Sequence, residues 1–121
     1  MSLNILAVDD SRTMRDMVRL ALGAAGMTVT TADDGVHGLE VLEGMAPDAI
    51  ISDINMPRLD GFGFIRAVRA IERMRGVPIL VLTTESDAEK KQRARAAGAT
   101  GWIVKPFDPG KLVKTVQMVT G

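Results

Sequence analysis

The 121-residue sequence is 46% hydrophobic and 25% charged, with 15 Lys and Arg balancing 15 Asp and Glu, and it contains no cysteine. A chain of this size can bury one substantial core, and without cysteine it has neither disulfides nor thiolate-held metal. The even charge balance, the single tryptophan and three phenylalanines, and the lack of a long apolar run or basic leader exclude a typical nucleic-acid module, a membrane span and a secretory signal, so a cytoplasmic protein is expected.

Short, β-branched apolar runs occur at Ile5-Leu6-Ala7-Val8, Thr28-Val29-Thr30, Ala49-Ile50-Ile51, Ile79-Leu80-Val81-Leu82 and Trp102-Ile103-Val104. They scarcely alternate, as expected of strands covered on both faces. Segments of helical period separate them. Met14, Met17, Val18, Ala21, Leu22 and Ala25 share one face of the first, followed by Val36-Leu39-Leu42, by Phe64-Ile65-Val68-Ile71, and by Leu112-Val113-Val116-Val119. The segment from Glu89 to Ala97 has an inner face mainly of alanine.

Gly26, Gly76 and Gly98 stand where helix C-caps belong, Ser86 with Glu89 fits a capping box, and Asp108-Pro109 fits an N-cap and first helical residue. Strands alternating with helices imply right-handed crossovers and a doubly wound α/β sheet. The last helix reaches the end of the sequence, so residues 1–121 are expected to be one domain with no output domain attached.

In such a sheet the site lies beyond the carboxyl ends of the strands. Asp9-Asp10, Asp53, Thr83-Thr84-Glu85 and Lys105-Pro106 follow strands one, three, four and five. Three carboxylates held together repel one another and favour a cation, and oxygen ligands that leave room for water suit Mg²⁺. A cation beside a carboxylate and an ammonium can neutralise a phosphoryl group, which the carboxylate can accept as an acyl phosphate. No Walker-type glycine loop is present, so no nucleotide is implied.

In Val8-Asp9-Asp10-Ser11, Asp53-Ile54-Asn55-Met56-Pro57 with Asp60-Gly61, Thr83-Thr84-Glu85 and Lys105-Pro106-Phe107 the sequence resembles the receiver domains of two-component response regulators, especially single-domain chemotaxis regulators of the CheY type. The resemblance spans the chain and implies a five-stranded parallel sheet of order 2-1-3-4-5 with five helices. It implies that Asp53 is the phosphoacceptor, supplied by a phosphohistidine on a histidine kinase. Asp10, Asp53 and the Asn55 carbonyl would hold Mg²⁺, with Asp9 acting mostly through coordinated water. Lys105 and Thr83 would bind the phosphoryl oxygens, and Thr83 would switch together with Trp102, where the family more often has tyrosine or phenylalanine. An inward indole needs a partner for its N–H. Asn55 and Glu85, two positions beyond Asp53 and Thr83, would tune phosphoryl lifetime. A cis Lys105-Pro106 peptide is also implied.

The expected function is therefore a phosphorylation-switched signalling monomer, not an enzyme with separate substrate turnover. Its output face would be the fourth helix, fifth strand and fifth helix, and its partner the flagellar motor switch. A relay intermediate or phosphate sink is the alternative. A Mg²⁺-dependent aspartyl phosphohydrolase would need a further acid/base and a cap over the site. A flavodoxin-like carrier would place FMN phosphate against Asp9-Asp10. His37, the sole histidine, is expected on a solvated helix without acidic company, and Arg66, Arg69, Arg73 and Arg75 with Lys90, Lys91, Arg93 and Arg95 on solvated helix faces.

Overall fold

The computed structural model describes residues 2–121. Its elements alternate as β1 (Asn4–Val8), α1 (Arg12–Ala24), β2 (Thr28–Ala32), α2 (Gly35–Leu42), β3 (Ala49–Ser52), α3 (Gly61–Ala70), β4 (Ile79–Thr83), α4 (Ala88–Ala97), β5 (Gly101–Val104) and α5 (Pro109–Thr120), with one 3₁₀ turn at Glu72–Met74. All strands pair in parallel in the order β2-β1-β3-β4-β5. Both the expected fold class and its strand order are therefore present.

Successive strand residues point to opposite faces, and this divides the core in two. Leu6, Val8, Ile50 and Val81 pack with Leu42, Phe64, Ile65 and Val68 of α2 and α3, together with Ala94 of α4. Ile5, Ala7, Ile51, Leu80 and Leu82 pack with Val18 and Leu22 of α1 and with Leu112 and Val116 of α5. Coverage on both faces holds for β1, β3 and β4 but not for the edges: β2 is half-buried and Val104 of β5 is exposed.

Several local expectations change in three dimensions. Met17 is 41% exposed and Ala25 is also exposed, so the buried stripe of α1 narrows to Val18 and Leu22, with Met14 and Ala21 half-buried. Met17 and Leu20 instead border an apolar groove against Phe107 and Val113. Gly98 ends α4 at φ 118°, and Gly26 has φ 85° just beyond α1, but Gly76 follows the 3₁₀ turn without a left-handed backbone. His37 does have acidic company, its Nδ1 lying 3.1 Å from Asp33 Oδ1.

Arg69 and Arg73 are structural ties rather than free charges. Arg69 donates to the carbonyl oxygens of Gly98 and Met74, and Arg73 to those of Met45 and Leu42, joining the ends of α2, α3 and α4. Arg93 lies over the Phe62 ring, 4.1 Å from its centroid.

The cap of α4 is Asp87, whose Oδ1 accepts Glu89 N–H at 2.7 Å; Ser86 makes no capping bond. Asp87→Ala should therefore cost about 1 kcal/mol, whereas Ser86→Ala should stay within about 0.5 kcal/mol. Urea denaturation of the two variants checks this, and equal losses would return the cap to Ser86.

Candidate functional site

Strand order reverses between β1 and β3, so their carboxyl ends frame the crevice in which open α/β sheets bind ligands. Asp9 N–H donates to Ala32 O at 3.1 Å and Asp53 N–H to Val8 O at 3.0 Å, extending the ladder one step past each strand. Both carboxylates are thereby fixed by backbone at the sheet edge, and Ser52 Oγ donates to the Asp53 carbonyl at 2.8 Å.

Asp9, Asp10 and Asp53 each present a carboxylate oxygen within 4.8 Å of the others. Lys105 Nζ reaches both buried members, 2.7 Å to Asp9 Oδ2 and 3.0 Å to Asp53 Oδ2. The three side chains are only 9%, 8% and 11% exposed for Lys105, Asp9 and Asp53. Asp10 is exposed at the mouth. An all-oxygen donor set with one arm open to water fits Mg²⁺.

Burial pushes the Asp9 carboxyl above its ordinary range, even though Lys105 and the Ser11 N–H stabilise its charge. For Lys105 burial is the largest single influence and lowers the pKa. The hydrogen bonds and charges of Asp9 and Asp53 together outweigh it and hold the ammonium above its ordinary 10.5. The first turn of α1 is capped by Ser11, whose Oγ accepts Met14 N–H, and not by Asp9 or Asp10. Arg15 Nη1 donates to the Asp9 carbonyl at 2.7 Å.

The other anticipated residues form a rim. Thr83 is fully buried, and its hydroxyl oxygen accepts Glu85 N–H at 3.4 Å. Asn55 Nδ2 donates to Glu85 Oε1 at 3.2 Å across the mouth. Trp102 packs partly against the β3 and β4 core and donates its indole N–H to Glu85 O at 2.9 Å, so the inward indole has the partner it requires. The Lys105-Pro106 peptide is cis.

Lys90 had looked like a solvated helix charge, but its Nζ sits 3.1 Å from Glu85 Oε1. With Asn55 it holds the Glu85 carboxyl below its usual range. Only the spacing of Glu85 and Lys90 across the start of α4 hinted at this pair. The Arg58 tie to Asp34, with Nε to Oδ2 at 2.6 Å and Nη2 to Oδ1 at 2.9 Å, likewise escaped the sequence analysis.

A family model of the response regulator receiver domain matches residues 5–117. The chain belongs to this family. It is 37% identical over 118 residues to the chemotaxis protein CheY of Pseudomonas aeruginosa, covering 97% of this chain and 95% of that one. The solved structure of chemotaxis response regulator CheY4 of Vibrio cholerae is 50% identical, with a TM-score of 0.93 over 98% of this chain and 99% of that one. The receiver domain of a Pseudomonas aeruginosa sensor histidine kinase, solved with a magnesium ion coordinated in its active site cleft, is 30% identical with a TM-score of 0.92, over 100% and 99% of the two chains.

Among receiver domains this chain is thus similar to chemotaxis regulators along nearly their whole length. Among the described residues no helix is long and apolar enough to cross a membrane.

Proposed function

We propose that residues 1–121 act as one receiver domain that takes a phosphoryl group on Asp53 from a histidine kinase in a Mg²⁺-dependent reaction, and that the phosphorylated form binds the flagellar motor switch. The observation that carries the chemistry is Lys105 shared between Asp9 and Asp53. An ammonium already seated on the accepting carboxylate can follow the charge onto the incoming phosphoryl oxygens, while Asp9 and Asp10 keep a cation beside them.

Asp10, Asp53 and the Asn55 carbonyl would hold Mg²⁺ directly, with Asp9 acting mostly through a coordinated water. Bound there, the ion supplies charge neutralisation for phosphoryl transfer. Thr83, buried at the end of β4, would bond a phosphoryl oxygen once its hydroxyl leaves Glu85 N–H. Glu85 also receives the Trp102 indole, so this movement loads the same loop that anchors the tryptophan. The output is then a population shift of the face formed by α4, β5 and α5. Asn55 and Glu85, bonded together across the mouth, would control entry of the water that ends the signal. The assignment to chemotaxis rests on the full-length likeness to CheY proteins.

Incubation with a phosphorylated histidine kinase domain and Mg²⁺, followed by intact mass, tests the chemistry. A gain of one phosphate that disappears in Asp53→Asn is the expected result, together with a change in the fluorescence of Trp102, the only tryptophan. Retention of the phosphate by Asp53→Asn overturns the assignment of the acceptor.

A further inference from the structure

The loop between Asp53 and α3 is tied down at a second place, away from the carboxylate cluster. Gly61 N–H donates to Ile54 O at 2.8 Å and closes the loop's base. At its tip, Leu59 N–H donates to Pro57 O at 2.7 Å around Arg58, the only described non-glycine residue with positive φ, at 67°. An i to i+2 bond around such a residue is a γ-turn of the rare, strained kind, which persists only where its surroundings hold it.

Asp34 supplies the hold. It caps α2 by accepting His37 N–H at 2.9 Å, and its two oxygens also receive the Arg58 guanidinium as a fork. The Asp34 side chain is 8% exposed, and Arg58 keeps its carboxyl below the ordinary range. The loop lies directly on the start of α2: a Cβ at Gly35 would come within 2.7 Å of Leu59 O. Arg58 and Asn55 thus belong to one short closed loop, clamped to α2 through Arg58 and to Glu85 through Asn55.

We propose that Arg58 is a positioning residue for metal binding, acting through Asp34 to hold the loop that carries the Asn55 carbonyl. This rests on the Mg²⁺ site put forward above. Releasing Arg58 frees the strained turn to take up ordinary backbone conformations, and binding must then restore the order that the fork now supplies. Groups bonded directly to metal ligands typically change metal affinity by about 10–100-fold, and a tie that acts one step further out, through the loop, belongs at the low end of that range.

Calorimetric titration of the purified full chain with Mg²⁺ alone, without phosphodonor, reads the effect directly. Arg58→Ala and Asp34→Asn should each weaken Mg²⁺ binding about tenfold, although asparagine still caps α2. Arg58→Gly, which suits the left-handed turn, should recover folding stability relative to alanine but not affinity. Arg58→Lys keeps the charge without the fork and should fall between wild type and alanine.

Urea midpoints that fall while the Mg²⁺ affinity of Arg58→Ala and Asp34→Asn matches wild type would leave the fork a merely structural tie and overturn the proposal. A wild-type chain that takes up no Mg²⁺ would instead overturn the metal site itself, a result that does not depend on any variant at position 58.

Discussion

Lys105→Met should lower folding stability by about 3 kcal/mol at pH 7, because removing one partner of a buried ion pair leaves the other charge without compensation. Here two charges are stranded. Asp9 and Asp53 are both buried, and Nζ of Lys105 is the only cationic group bonded to either carboxylate among the described residues. The methionine fills much of the same volume, so the loss reports charge and not a cavity.

The dependence on pH has a definite sign. Asp9 is held above its ordinary value by burial, so the folded chain binds that proton more tightly than the unfolded one. Its contribution to stability therefore falls as pH rises from its unfolded pKa through the folded one. Without Lys105 the folded pKa of Asp9 rises further, so the part of the variant's deficit that comes from Asp9 should shrink toward pH 4 and grow toward neutrality. Lys105 itself is raised above 10.5, so while its carboxylate partners are charged its stabilisation is fully present below that pH, and it is lost as pH climbs through the folded pKa. Wild type and variant should accordingly converge at strongly alkaline pH as well. Mg²⁺ should restore part of the loss by supplying the missing positive charge. Urea denaturation across pH, with and without Mg²⁺, measures all of this. Equal stability at pH 7 would mean that water already screens the two carboxylates.

The carboxylate cluster was legible because its members obey a rule of position. Asp9, Thr83 and Lys105 each follow an apolar run at once and Asp53 follows one after a single serine, and a parallel sheet brings such positions to one edge. The strands themselves were legible because β1, β3 and β4 are covered on both faces, which leaves an unbroken apolar signature.

What escaped depends on side chains meeting across elements. Arg58 and Asp34 lie 24 positions apart, and Arg69 and Gly98 lie 29 apart; neither pair leaves a periodic trace. The width of a helix's buried stripe is set by its neighbours, so Met17 shared the period of Val18 and still faced outward into a groove. At α4 the competition was local: Ser86 and Asp87 are both good caps, and only the backbone path selects Asp87.

Gly61→Ala should disable the site through space that no pattern of residue types reveals. Gly61 opens α3, is buried, and is not in a left-handed conformation, so alanine meets no backbone objection there and as a better helix former should gain at most about 1 kcal/mol, the value for a helix interior. The obstacle is steric. The added Cβ would overlap the carbonyl oxygen of Asp53 and come within 2.7 Å of Ile54 Cα, both main-chain atoms that cannot rotate away. Overpacking typically costs about 1–3 kcal/mol and more where nothing yields, so a net loss of about 2 kcal/mol is expected. The atoms that must move are those of Asp53, the proposed phosphoacceptor, and its neighbour, so phosphate uptake should fall by at least about tenfold even in the fraction that remains folded, since misplacing a reacting group by about 1 Å can cost 100-fold. Gly44 is the control: a Cβ there meets nothing within 4 Å, and its backbone is not left-handed, so Gly44→Ala should leave stability and phosphorylation essentially unchanged. Urea midpoints and intact mass after exposure to phosphorylated kinase compare the two. If Gly61→Ala took up phosphate as wild type does, the loop around Asp53 would have room that its packing denies, and the close seating of Asp53 against α3 would not be what positions the acceptor.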